Sequence, residues 1–277
     1  NLASYTSDQC VVQRYMTTKD EKGAARSILF NGVLSFVNCF VFFAMGVALW
    51  TFYRAHAGAL PPGVKPDAVL LAGDIYDAIP SHLSGNASRY VLSTAREGTR
   101  AEQVRELIPD MLSSFTVNIA YHANNPNVGM SLEKDSGRYK LFTSDVGLFI
   151  TLAFRDKKYT ENIIYNKLLS DKLEANLGYV YENAIAQMLI AKGNNLFYYT
   201  MESEISNHLH EIDFLISRGD KICPIEVKSG NYRSHKSLDA FCDKFSSRLK
   251  DRYIAHTKDY KWENGIHYIP VYMLPFL

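Results

Sequence analysis

At 277 residues the chain can hold one large domain or two small ones. With 30 Lys and Arg against 29 Asp and Glu, the net charge is +1. Bulk electrostatics therefore favour no partner, and a nucleic-acid reader would need a local basic patch. The cysteines Cys10, Cys39, Cys223 and Cys242 have no zinc-like spacing and read as reduced thiols.

The first element is apolar. Leu29 to Tyr53 contains no Asp, Glu, Lys, Arg or His, and it exceeds the ~20 residues that cross a bilayer as a helix. A buried soluble helix of this length would carry charge, so a transmembrane span over about 29–53 is expected. Arg14, Lys19, Lys22 and Arg26 precede it, whereas Arg54 and Lys65 follow. That excess predicts a cytoplasmic N-terminal flank and places all that follows the span outside the cytoplasm.

The run Ser7–Ser27, with Asp8, Gln9, Val12, Gln13, Arg14 and Tyr15 at its centre, leads directly into this helix. It resembles a cytoplasmic loop and the next helix of sodium/solute symporters, over roughly residues 1–68. Such transporters bind substrate between several helices near the bilayer midplane, a site that one helix cannot make. Residues 1–56 therefore read as a symporter-like loop and membrane helix, an anchor and a remnant of transport. Ala57 to Gly73 is rich in Gly and Pro and reads as a linker or fusion junction.

Residues 74–170 read as a mainly helical, winged-helix-like segment. Ala101 to Leu112 carries Val104, Leu107, Ile108 and Met111 at helical spacing, with Pro109 expected to kink or end the helix. Asn124, Asn125, Pro126 and Asn127 mark a loop. The segment Tyr139–Phe149, YKLFTSDVGLF, resembles the stretch that precedes the C-terminal domain of bacterial AAA-family ATP-binding proteins, a resemblance that covers about Leu71 to Leu277. No GxxxxGK[ST] phosphate loop occurs, so no nucleotide site is expected in this chain.

Over 171–277 the element order is readable. The spacing predicts a helix over Leu177–Ala191 and strands over Leu196–Met201, His210–Ser217 and Lys221–Lys228. A helix over Ser237–Leu249 and strands over Tyr253–Ala255 and Tyr268–Met273 follow. This αβββαββ order makes the fold class α/β, with a restriction-endonuclease-like core after the helical segment and the single transmembrane helix. A turn at Gly219-Asp220 sets Asp213 opposite Glu226 and Glu211 opposite Lys228, so all four are expected on one face. Opposed carboxylates repel, and Mg²⁺ bound to Asp213 and Glu226 would relieve that repulsion.

Asp213, then Glu226-Val227-Lys228, resembles the motif of PD-(D/E)xK nucleases, and Glu182 fits the upstream helix glutamate of that superfamily. The resemblance implies Asp213 and Glu226 as metal ligands, with Lys228 assisting water attack and Glu182 supporting the metal. Arg233, His235, Lys236, Lys244, Arg248, Lys250 and Arg252 form a local basic stretch that could meet phosphates, or be a solvated helix face. His208 and His210 read as loop residues rather than metal ligands.

Two functions remain open. One is Mg²⁺-dependent phosphodiester cleavage. The other is a non-catalytic DNA- or protein-binding module serving an ATPase supplied by another chain. The resemblance implies a cytoplasmic C-terminal domain, at odds with the charge asymmetry around the span. A chimera of two genes, joined near Val69 to Gly73, would account for the conflict.

Overall fold

The computed structural model describes residues 21–56, 66–85, 87–91, 98, 101–154, 177–202, 209–230 and 232–277. The chain divides into two compact units, Asn1–Pro66 and Asp67–Leu277. In the first, helix α1 runs from Glu21 to Ala55. Its stretch Gly32–Ala55 is long and apolar enough to cross a membrane, and none of it is buried within the protein. It is the one such helix among the described residues. Phe36, Phe40, Phe42, Phe43 and Trp50 stand exposed along it, an apolar surface that lipid would cover. The flanking residues Arg14, Lys19 and Lys65, the symporter-like run around Asp8–Tyr15, and Cys10 lie outside the described residues.

The second unit is built on a mixed sheet of eight strands in the order β2-β1-β3-β4-β5-β6-β8-β7. In chain order come α2 (Pro66–Ser84), α3 (Ala101–Ser113), β1 (Val117–Ala123), β2 (Lys134–Thr143), α4 (Val146–Ala153), α5 (Gly178–Ala191) and β3 (Leu196–Glu202). There follow β4 (Leu209–Arg218), β5 (Lys221–Val227), α6 (Lys236–Lys244), β6 (Tyr253–His256), β7 (Lys261–Glu263) and β8 (Ile266–Pro270). The β3-β4 and β4-β5 pairs are antiparallel, whereas β5-β6 and β6-β8 are parallel.

Two apolar layers sandwich this sheet. On one face α2, α3 and α5 contribute Ile75, Ile79, Val104, Ile185 and Leu189 against Phe142, Tyr198, Phe214 and Ile225. On the other, α6 contributes Leu238 and Phe241 against Tyr199, Ile212, Leu215 and Ile254. β3 shows why. Its residues are nearly all apolar and alternate between the layers, Leu196 and Tyr198 to the α5 side, Phe197 and Tyr199 to the α6 side.

Several elements depart from their expected form. The stretch 74–170 was expected to be mainly helical, yet it supplies β1 and β2, and β1 pairs in parallel with β3. The two strands complete the sheet that carries α5, so the region shares a core with the last hundred residues. Residues Val69–Gly73, read as a junction, lie inside α2, where Leu71 is buried. Pro109 neither ends nor shortens α3. It sits on the exposed side, where a carbonyl robbed of its helical partner can bond to water. The helix expected over Ser237–Leu249 stops at Lys244 and gives way to a short 3₁₀ turn, Ser246–Arg248.

The last strand, expected over Tyr268–Met273, runs from Ile266 to Pro270, with a 3₁₀ turn over Val271–Phe276. Strand β7 is additional. It pairs with β8 through a hairpin whose turn residues Asn264 and Gly265 have φ of 51° and 74°. Asn-Gly is the strongest short hairpin signal in a sequence, because both positions need φ above zero.

Candidate carboxylate and lysine site

The site begins with the register of the β4-β5 hairpin. Gly219 turns it with φ of 66°, a conformation an L side chain adopts only at a cost. Pairing then runs from Arg218↔Lys221 to Phe214↔Ile225, the register expected from the turn. The ladder ends there.

Against β3, strand β4 takes three steps from Ile212 to Leu215 where β3 takes two from Tyr199 to Phe197. The extra residue is a β-bulge, and it rotates the strand. Ile212 and Leu215 pack on the α6 side, whereas Phe214 packs on the α5 side. Asp213 therefore does not sit beside Glu226 as a ladder partner. Its Oδ2 instead accepts a hydrogen bond from the Val227 backbone N–H at 2.6 Å.

On the α5 side, Glu182, Glu211 and Asp213 offer carboxylate oxygens that all lie within 4.8 Å of one another. Lys140 of β2 reaches into the group. Its Nζ donates to Glu182 Oε1 at 3.0 Å and to Glu211. Asn183, beside Glu182 on α5, fixes the helix to the same strand. It accepts from the Thr143 N–H at 2.8 Å and donates to the Thr143 carbonyl at 3.2 Å.

One ammonium cannot satisfy three half-buried carboxylates. Burial would lower the pKa of Lys140, but the charges of Glu182, Glu211 and Asp213 outweigh it and raise the pKa above its ordinary value. For Glu211 the balance falls the other way. Burial raises its carboxyl pKa by more than Lys140 lowers it. Asp213 is pushed well above the ordinary carboxylate range, first by burial, then by the charge of Glu182. The cluster thus holds a permanent cation and an aspartate that keeps its proton unusually well.

Glu226 and Lys228 form a separate pair. Ile225 and Val227, on either side of Glu226, both pack in the α5 layer, so strand alternation turns Glu226 to the α6 face. There its charge contributes to raising the Cys242 thiol pKa, to about 11, an effect led by burial. Lys228 Nζ lies 2.6 Å from Glu226 Oε1, and Glu226 Oε2 is buried without a hydrogen-bond partner among the described residues. The expected constellation is therefore divided. Glu182 and Asp213 meet on one face of the sheet, joined by Glu211, whereas Glu226 and Lys228 lie on the other.

Lys140 was not singled out from the sequence. Its one signal is a lysine inside the otherwise apolar run Tyr139–Phe142, a charge where a buried strand has no use for one.

The basic stretch after Lys228 lies on the α6 side and is partly occupied by structural contacts. Arg248 donates to the Pro126 carbonyl at 2.9 Å, tying the 3₁₀ turn to the loop after β1. His235 Nδ1 lies 2.8 Å from Asp239, and its Nε2 lies 3.1 Å from the Tyr268 hydroxyl. Besides Lys140, Arg138 lies near the carboxylates, half-exposed on β2, and donates to Thr200 Oγ1 at 3.0 Å. Thr200 pairs directly with Glu211 across β3 and β4. His210, the second residue of β4, has Nδ1 at 3.2 Å from Ser237 Oγ, and His208 lies outside the described residues.

Fold and site together define a mixed-sheet α/β domain with a half-buried carboxylate–lysine cluster between α5, β2 and β4. Residues 177–274, from the N-cap of α5 into the 3₁₀ turn after β8, match the family described as a domain of unknown function, DUF4143. That domain is often found in AAA-ATPase-associated proteins. A 70-residue stretch is 34% identical to the sodium/sialic acid symporter SiaT of Proteus mirabilis (strain HI4320), covering 25% of this chain and 14% of that protein. Among solved structures, protein VC1899 from Vibrio cholerae aligns over 76% of this chain and 50% of its own. Its TM-score of 0.24 and 10% identity are too low to support an argument about fold.

Proposed function

We propose that the DUF4143 domain is a nuclease-like module that acts on phosphodiesters of DNA with a divalent cation. The observation that carries this reading is the convergence of Glu182, Glu211 and Asp213 within 4.8 Å. Three carboxylate oxygens at this spacing suit a hard cation such as Mg²⁺, and strongly perturbed carboxyls in one cluster are what a reactive site tends to contain. Glu182, Glu211 and Asp213 would hold the ion, which when bound supplies a Lewis acid for the phosphate and an acidified water. Glu226, implied as a ligand by the PD-(D/E)xK resemblance, is not in this set. The Val227 N–H orients Asp213, and Lys140 holds Glu182 and Glu211 together. Arg138, on β2 beside Thr200, would meet the phosphate.

The test uses the purified full chain in detergent with Mn²⁺ or Mg²⁺ and a supercoiled plasmid. Cleavage lost in both Asp213→Asn and Glu182→Gln supports the reading. No metal binding by calorimetry, or cleavage that survives both substitutions, ends it.

A second reading rests on Lys140. An ammonium already neutralises part of the cluster, as it would in a buried ion network with no metal. The domain would then bind DNA or protein without cutting, as the accessory end of an ATPase carried by another chain. The occurrence of DUF4143 in ATPase-associated proteins supports such a partner. DNA binding with no cleavage under Mg²⁺ or Mn²⁺ would favour it.

For the N-terminal unit, the partial likeness to a symporter and the apolar stretch of α1 support a membrane anchor derived from a transporter. Joined to a DUF4143 domain, it makes the chain a candidate chimera. Long DNA reads running unbroken through the codons for Ala57 to Ala78 would show a real tethered protein, and reads that always diverge there would show two separate ones.

A further inference from the structure

Two cavities open beside β1, on strands far from the Glu226 pair. The first, of about 210 Å³, is walled by Tyr90, Tyr121 and Tyr139, with Arg105 of α3 among its lining residues. The second, of about 280 Å³, shares Ile119 and Tyr121 with the first and includes Lys134. Lys134 Nζ lies 4.2 Å from the Tyr121 ring centroid. Tyr121 thus borders both cavities of an aromatic cleft, with Arg105 lining the first and Lys134 the second.

The walls are built in advance. Tyr90 is buried, its hydroxyl donates to the Ile75 carbonyl at 2.8 Å, and its N–H donates to the Tyr139 carbonyl at 2.7 Å. The Tyr90 and Tyr139 rings are parallel to within 11°, and Tyr121 meets Tyr139 edge-on at 68°. Burial, with a smaller contribution from Tyr121, raises Tyr139 to about 12, so its phenol stays neutral and able to donate.

Chemistry narrows the ligand. Among the described residues, no carboxylate, thiol or imidazole lines the first cavity, so its lining does not suit a metal ion. At about 210 Å³ it falls below the ~300–1,000 Å³ of pockets for drug-sized ligands, so it takes one flat ring system rather than a dinucleotide. Aromatic walls accept a flat π-face of any base, and flanking Arg and Lys suit the charges beside it. Arg in particular pairs with phosphate oxygens two at a time.

We propose that this cleft binds an unpaired nucleotide, its base against Tyr90, Tyr121 and Tyr139 and its phosphates on Arg105 and Lys134. The inference goes beyond the carboxylate cluster and does not rest on it. If that cluster cuts DNA, single-stranded nucleic acid is its substrate class.

The test measures binding of fluorescein-labelled (dT)₁₂ and of thymidine 5′-monophosphate to the full chain in detergent with EDTA present. Wild type is expected to bind, with single strand preferred over a duplex of the same length. Tyr121→Leu, which keeps an apolar side chain for packing, and the exposed Arg105→Gln should each weaken binding about tenfold, with Arg105→Gln also reducing the salt dependence. Tighter binding of (dT)₁₂ than of the mononucleotide identifies a strand as the source, and the reverse a free nucleotide. Lys261→Gln, at an exposed cation of β7 outside both sites, should leave binding unchanged, which separates the cleft from general surface charge. Failure of both probes to bind, equal binding of duplex, or affinity unmoved in both cleft variants overturns the proposal.

Discussion

Removing the Lys140 ammonium would leave Glu182, Glu211 and Asp213 facing one another with no cation among them. Breaking a buried ion pair from one side costs about 3–5 kcal/mol, because the remaining charge stays buried. Lys140→Met should therefore lower the urea midpoint strongly in EDTA. If the cluster also takes a divalent ion, Mn²⁺ should restore more stability to the variant than it adds to wild type. Equal Mn²⁺ effects on both proteins would count against a metal site.

Asp213 carries the opposite expectation. Its carboxyl is raised by burial and by Glu182, so the folded chain holds this proton to a higher pH than the unfolded chain. Between the ordinary carboxylate value and the raised one, the folded state binds more protons, and stability falls as pH rises across that window. Asp213→Asn keeps an oxygen for the Val227 N–H and removes the charge. The variant should match wild type below the window and exceed it above, read from urea midpoints at pH 3.5 and pH 8 in EDTA. Parallel pH profiles for the two proteins would refute the assignment.

At the scale of elements, the site depends on how α5 is fastened to β2 and how β4 is bent. Asn183 is fully buried and exchanges hydrogen bonds with both the N–H and the carbonyl of Thr143. Asn183→Leu leaves those groups unsatisfied, a loss of about 1–3 kcal/mol for each stranded partner. It should also misplace Glu182, one residue away, so any metal affinity should fall together with the melting temperature. A drop in stability with metal affinity intact would show that α5 is held elsewhere.

The hairpin turn at Gly219 and the pairing constant of β4 and β5 were legible from residue types alone. The bulge at Asp213 was not. It inserts one residue against β3, a partner distant in sequence, and no local pattern in HEIDFLIS announces it. That single residue decides which carboxylates meet. The Asn264-Gly265 hairpin is a different case, since its signal was present in the residues and the short strand Lys261–Glu263 before it, fully exposed, lacked the alternation that marks a strand.

For the whole molecule, the division at Pro66 sets the expectation. The second unit has its own two-layered core, and a unit with its own core folds alone. Residues 67–277 should therefore be obtained without detergent and melt at the temperature of the corresponding transition in the full chain. Aggregation of this piece under all conditions would mean that α1 contributes to its stability.

Composition and periodicity determined, unaided, the membrane-length helix and the α/β character of the last hundred residues, because these follow from local rules of burial and backbone geometry. Tertiary structure decided the rest. It placed β1 and β2 in the same sheet as β3, brought Lys140 and Glu211 to Glu182 and Asp213, and sent Glu226 with Lys228 to the opposite face. Those outcomes depend on contacts between residues tens of positions apart, such as Lys140 with Glu211, and on one extra residue in β4. A strand's side-chain direction reverses with each residue, so the face on which a charge emerges is set only once the whole sheet is paired.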